Sequence, residues 1–439
     1  MAISVSGLKF NGVTIQSLDG TNKIDLTNSI LSIDYFEDIF SPCITMTMQL
    51  INAYSIFNGL PIRGGESVAL DIETASGNFK LDGERALYVI KVSGLDAQRK
   101  SESFTLHLVS REALTNETSR CEKRYNKSQV NIHVRDILQN TLKTNKIGII
   151  EPSSNSYSFI GNNKKPFHIL TWLGPKAVST ITSVSNTSGE DETGQAKGTA
   201  GFLFYENYDG FNFRSIDSLV ANTQLQSSSS NKEGIYKYTF DGIGVIQAND
   251  LSNNFKILNY NYEKNIDLLK ALRVGIYVNK TYFYDMITNK LSVWKYNLKD
   301  EIKNATKLGA QDSIVVSEEF GSSISRILTR VSDHGVLDIA GELQTSGRDN
   351  ADMAKSFSRY NLLFTQALNM NIPCNVNLKA GDIIYAQFPQ MERANTGEVD
   401  SEQSGNYLIK ELRHHFSGGQ MVTSLKLVRD SYGLYGPNQ

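Results

Sequence analysis

Arg63-Gly64-Gly65-Glu66-Ser67-Val68 and Lys379-Ala380-Gly381-Asp382-Ile383-Ile384 have the same pattern: a basic residue, a small one, glycine, an acid, then a strand. Two further blocks follow each in the same order. Tyr88-Val89-Ile90-Lys91 is answered by Tyr407-Leu408-Ile409-Lys410, and Leu106-His107-Leu108-Val109 by Leu425-Lys426-Leu427-Val428. Tyr88 and Leu106 are 18 residues apart, as are Tyr407 and Leu425, which predicts one hairpin geometry used twice. Gly65 and Gly381 suit a positive φ at a tight turn into a strand, and Ser417-Gly418-Gly419-Gln420 suits the tip of the second hairpin. The chain is therefore expected to contain a duplicated β unit.

Outward from these blocks the pattern is mostly of period two. Ile44, Met46, Met48 and Leu50 alternate with Thr45, Thr47 and Gln49, as in a half-buried strand. Leu87–Val92 and Phe104–Val109 flank a polar stretch from Gly94 to Glu102, as a hairpin requires. After Glu112 the period changes. Val130, Val134, Ile137, Leu138 and Leu142 predict a helix capped by Ser128, and Pro166 opens a second, with Phe167, Leu170 and Leu173 on one face. Gly201–Tyr205 and Phe211–Ile216 surround the turn Asn207-Tyr208-Asp209-Gly210. Strands are expected at Tyr236–Phe240, Val274–Val278 and around Val293–Tyr296. Thr182–Thr199 and Thr223–Gly234 read as polar loops. The expected fold class is mainly β with α+β: two β-barrels joined by an α/β insert. The expected boundaries are 1–112 for the first barrel, 113–235 for the insert, 236–300 with 357–432 for the second barrel, and 301–356 for an insertion within or beside it.

The 439 residues carry 44 Lys and Arg against 46 Asp and Glu, a net charge of -2, which disfavours an electrostatic nucleic-acid binder. No apolar run reaches the roughly 18 residues of a membrane span, and Met1–Ser6 lacks the pattern of a signal peptide, so cytoplasmic synthesis without membrane insertion is expected. Cys43, Cys121 and Cys374 are too scattered for a zinc knuckle or a disulfide framework, and are expected to be reduced thiols. The six histidines, His107, His133, His168, His334, His414 and His415, form no ligand motif. His414 and His415 adjoin on a strand and so face opposite ways; His107 should point outward. Gly242-Ile243-Gly244 lacks the rest of a dinucleotide fingerprint, and Glu190-Asp191-Glu192 lies in a Ser/Gly-rich loop. No catalytic, cofactor or metal residue is assigned, and no enzyme is expected.

Pro166-Phe167-His168-Ile169-Leu170, the segment Gly201–Leu219 and the closing run from Gly405 to Lys410 and on to Arg429-Asp430 together resemble baseplate central hub proteins of contractile-tailed phages of the T-even type. That family is related to the tail-tube and type VI spike hub fold. The resemblance implies two tail-tube-like barrels and a homotrimer around a channel, in which six similar units match a three-fold spike to a six-fold tail tube. It further implies a virion baseplate location after assembly in the host cytoplasm. Implied partners are the central spike protein, the tail tube and tube initiator, baseplate wedge proteins, the tape measure protein, and DNA passing without sequence-specific binding. The alternatives are the hub of a phage-derived injection or type VI-like machine, a β-rich cell-wall polysaccharide hydrolase, and a β-sandwich adhesin.

Overall fold

The computed structural model describes residues 8–52, 62–98, 101–180, 201–221, 235–240, 254–263, 267–299, 307–309, 317–332, 347–390, 399–418 and 420–433. The expected loops at 182–199 and 223–234, Gly242–Gly244, Glu190–Glu192, His334 and Gly419 lie outside them.

The two β-rich regions do not form two barrels. Their strands join one open sheet, 14-stranded among the described residues, which starts at Asn259–Glu263 and ends at Lys23–Asp25 without those ends meeting. From the first end the order runs Asn259–Glu263, Gln366–Pro373, Gln420–Arg429, Gly405–Ser417, then Ile30–Asp38, Thr45–Asn52, Ser101–Ser110, Leu87–Gln98, Ser67–Thr74, Lys9–Gln16 and Lys23–Asp25. The physical reason lies in strand Ile30–Asp38. A barrel needs each end strand to pair back within its own region. Ile30–Asp38 instead uses its second edge on Glu411–Ser417 of the other region, in the register Tyr35 to His414 and Ile33 to Phe416.

Period-two alternation builds the core beneath this sheet. Ile44, Met46, Met48 and Leu50 are all buried, while Thr45 and Gln49 face solvent. They share one hydrophobic cluster with Leu106 and Leu108 of the first region and Leu368, Met370, Ile409, Leu425 and Leu427 of the second. Each such side chain contributes roughly 1.5–3 kcal/mol on burial. The hairpins at 87–110 and 405–429 form as expected.

The insert packs a separate core. Phe202–Asn207 and Gly210–Ser215 pair around the predicted turn, with Ile147–Ile150 added in parallel. Helix Val130–Asp136, continued by a π turn over Ile137–Thr141, buries Val130, Val134, Ile137 and Leu138 against them. Ser128 does not cap it: it ends up in strand Arg124–Gln129, and the Val130 N–H donates to Ser153 Oγ at 2.9 Å. Helix Pro166–Leu173 starts at the proline as predicted. The strand expected at Val274–Val278 is another correction. Asp267 caps a helix over Leu268–Val274, Gly275 ends it at φ +80, and the strand begins only at Val278. That strand, Val278–Asp285, pairs with Lys290–Asn297 and Arg326–Val331 in a small sheet apart from the large one.

Candidate functional site

The duplication places its two turns in equivalent positions. Gly65 and Gly381 take φ +96 and +93, a region costly for residues with a Cβ. The Gly65 N–H donates to the Val89 carbonyl at 2.7 Å, and the Val89 N–H returns to the Glu66 carbonyl at 2.9 Å. Gly381 and Asp382 make the same exchange with Ile409, at 2.9 Å each way. Both hairpins then carry a bulge at the same place, after Val89 opposite Leu108 and after Ile409 opposite Leu427.

This geometry corrects the alignment of the second sequence block. Val89 is equivalent to Ile409, not to Leu408, so Tyr88 matches Leu408 and Leu87 matches Tyr407. The first hairpin has one additional residue, absorbed by a further irregularity between Ser93 and Asp96 near Gly94, whose φ is +65. The equal spacing of 18 residues came from pairing the tyrosines. A one-residue slip normally turns every side chain to the other face, and here bulges contain it.

The turns differ in the length of their acid, Glu66 against Asp382, and in the residue before the glycine, where Gly64 takes φ +106 and Ala380 does not take a positive φ. Glu66 accepts from both the Arg63 and Gly64 N–H groups, at 2.7 and 2.9 Å. Asp382 accepts the Lys379 N–H at 3.0 Å, while the N–H of Ala380, the counterpart of Gly64, donates to Glu37 of the first repeat at 2.7 Å. Glu37 also accepts from Tyr35 Oη and from the Tyr208 N–H of the insert, both at 2.7 Å. Burial pushes its carboxyl up to about 7 despite these donors. Tyr35 stacks on His414 with centroids 6.1 Å apart, and burial holds the His414 imidazole neutral, its value down to about 3.

Two buried ion clusters bind the repeats to the insert, and each uses an acid just beyond the last hairpin strand. Glu112 and Glu206 hold Lys146 at 2.6 and 2.8 Å, and Glu206 also accepts the Ile44 N–H at 3.0 Å. Asp430 and Asp217 hold Arg359 at 3.0 and 3.2 Å.

The face of the sheet away from the core is polar, with a hollow of about 790 Å³ lined by Phe36, Asp38, Asn259, Asn371, Glu411 and Lys426 among others. Its charges offset one another: Asp34 meets Arg413 at 2.8 Å and His415 at 2.7 Å, Glu411 meets Lys426 at 2.5 Å, and Asp38 meets Lys410 at 3.5 Å. Such a surface is hydrated without a surplus of positive charge to hold phosphate.

His414 and His415 face opposite sides as expected, one in the core and one on the polar face. His107 also faces outward, 2.7 Å from Ser93 Oγ. Among the described residues no group of three or more His, Cys, Asp or Glu is placed to hold a metal ion, and no catalytic cluster is found. Cys43, Cys121 and Cys374 are unpaired, and burial pushes the Cys43 thiol up to about 11 and Cys374 to about 12. Sequence reasoning missed Glu37, Lys146 and Arg359. Only Glu37 left a signal: it occupies the core register of the alternating strand Ile33, Tyr35, Glu37.

No protein-family model matches the chain. It is 20% identical over 313 residues to a probable baseplate hub protein of Vibrio phage KVP40, covering 70% of this chain and 67% of that protein. Its fold is that of the tail protein from Neisseria meningitidis (TM-score 0.51, 11% identity, 95% of this chain and 96% of that one). It is also that of the 43 kDa tail protein of prophage MuSo2 from Shewanella oneidensis (TM-score 0.51, 8% identity, 95% and 98%). The chain is thus a distant match to one probable phage baseplate hub protein and shares the fold of these two tail proteins.

Proposed function

We propose that this chain is a structural, non-enzymatic baseplate hub subunit of a contractile phage tail. In this reading three copies surround a channel, and their six repeats match a three-fold central spike to a six-fold tail tube. The observation that carries it is the duplication itself: two units with the same glycine turn, the same bulge and neighbouring places in one sheet. A heterologous contact repeated around an axis closes into a ring, and two units per chain let a trimer present six similar surfaces. The paired charges on the polar face suit a channel through which DNA slides. The spike, tail tube and tube initiator, wedge proteins and tape measure protein are the partners this role requires, in the virion baseplate. The proposed division is a first β region at 1–112, an insert at 113–235, a second β region at 236–300 with 357–432, and an insertion at 301–356.

Native mass spectrometry with negative-stain class averages tests the reading. The expected result is a trimer and a three-fold ring with six similar lobes. A chain that stays monomeric, alone and with its spike, overturns it.

A further inference from the structure

The small sheet of Val278–Asp285, Lys290–Asn297 and Arg326–Val331 has two unlike faces. Through one it packs on helix Gly347–Leu362. Asn279 Nδ2 donates to Ser358 Oγ at 3.2 Å, the Arg326 guanidinium lies 5.4 Å from the centre of the Phe357 ring, and Thr281 and Phe283 are buried. The alternate residues form the other face. The registers set Lys280, Tyr282 and Tyr284 of the central strand between Lys295, Val293 and Leu291 on one side and Ile327, Thr329 and Val331 on the other.

This second face is apolar and uncovered. Leu291 is 58% exposed, Val293 47%, Ile327 63%, Val331 59% and Tyr284 40%. A soluble chain rarely leaves so many large apolar side chains next to one another unless they bind something. The charges of the face have one sign and sit at one end. Lys280 and Lys295 stand directly opposite each other, an arrangement that destabilises the free sheet. The Lys280 ammonium lies 4.8 Å from the Tyr282 ring, and neither lysine forms an ion pair among the described residues.

These features select among occupants. A second copy of the same face has no carboxylate to offer the lysines. A lipid bilayer would take up the adjoining turn, where Met286 and Ile287 are exposed, but Asp285 and Lys290 close that turn and would enter hydrocarbon with them. Three strands about 4.8 Å apart span roughly 10 Å, the breadth of one α-helix. We propose that this face docks an amphipathic helix of a partner protein, its apolar stripe over Leu291, Val293, Ile327 and Val331 and its carboxylates at Lys280 and Lys295. Docking replaces a like-charge repulsion by opposite-charge pairs. The surface lies on the small sheet and does not depend on the ring assembly proposed above.

The test uses the full chain and labelled synthetic peptides of about 18 residues, long enough to form a helix, read by fluorescence anisotropy. One peptide has leucine at i, i+3, i+4 and i+7 and glutamate at one end; a second has lysine in place of the glutamate; a third shuffles the first. The glutamate peptide should bind at least about tenfold more tightly than either of the others. Leu291→Ser with Ile327→Ser, at exposed positions, should abolish that binding and leave the melting temperature unchanged. Lys280→Glu with Lys295→Glu should turn the preference to the lysine peptide. A glutamate peptide that does not bind overturns the proposal. Equal binding of the glutamate and lysine peptides, or a preference that survives the charge reversal, overturns the role of the lysines. Binding that the serine variant keeps overturns the site. Flotation with phosphatidylglycerol–phosphatidylcholine vesicles and sedimentation of the chain alone complete the set: vesicle binding or self-association lost in the serine variant, without peptide binding, assigns the face to lipid or to a second copy and overturns the partner helix.

Discussion

The two repeats agree in their turns and differ in their surroundings. In the first, Glu66 satisfies both N–H groups of its turn, and strand Ser67–Thr74 is flanked by antiparallel Lys9–Gln16. In the second, Asp382 accepts only the Lys379 N–H, the Ala380 N–H goes to Glu37 of the first repeat, and Ile383–Gln387 is flanked by parallel Tyr236–Thr239. The shared parts are local: a positive φ, a reciprocal pair of backbone hydrogen bonds, a bulge. The differing parts are those where one repeat must hold the other or the insert.

The largest effect should come from the two buried ion clusters. Lys146→Met strands Glu112 and Glu206, which meet no other cation among the described residues, and Arg359→Met removes the guanidinium that Asp217 and Asp430 share. Each is expected to cost about 3–5 kcal/mol in urea unfolding. If either costs under about 1 kcal/mol, the two repeats are not anchored alike.

Next are the turn glycines. A Cβ on Gly381 would meet the buried Tyr205 Oη at 2.5 Å, whereas one on Gly65 meets the exposed, movable Leu18 side chain at 2.7 Å. Both substitutions strain the backbone, so Gly65→Ala should cost about 1–2 kcal/mol and Gly381→Ala about 3 or more. Equal losses would mean that backbone strain alone sets the cost.

The junction carries two titrations of opposite sign. Glu37 binds its proton more tightly folded than unfolded, so its contribution is full below the ordinary 4.5 and is lost as pH rises through about 7. His414 does the reverse: its contribution is present above 6.5 and is lost as pH falls toward about 3. Between pH 4.5 and 6.5 the two slopes oppose each other. Glu37→Gln should remove the opposing slope, so that on acidification over that interval the variant loses about 3 kcal/mol more stability than the unsubstituted chain. Unfolding curves across that range, with no such added loss in the variant, would break this account.

Equivalent positions on the polar face should matter least. His107 and Lys426 match across the hairpins, and both face outward. His107→Ala and Lys426→Ala should each change stability by less than about 1 kcal/mol, since exposed polar pairs contribute little. A larger loss, read from the same curves, would show that one repeat relies on this face as the other does not.

What was legible in the chain followed from local chemistry. Glycine at positions 65 and 381 announced turns that need positive φ; alternation from Ile44 to Leu50 announced a strand with one buried face; Pro166 announced a helix start. These depend on residues within a few positions of one another. The strand expected at Val274–Val278 failed because Asp267 and Gly275 together frame a helix, a balance that β propensity alone does not weigh. The one-residue slip between Tyr88 and Tyr407 escaped because a bulge leaves no mark in composition.

The sequence by itself determined that a β unit occurs twice, how each copy turns into its strands, and that helices and a strand pair of another pattern lie between the copies. Only the tertiary structure decided that the copies stay open and share one sheet, that Glu37 bridges to Ala380, and that Lys146 and Arg359 are buried among acids. The physical reason is distance along the chain. Period and turn chemistry act between neighbours, whereas sheet closure depends on which edges meet, and Tyr35 finds His414 only when the whole chain is folded.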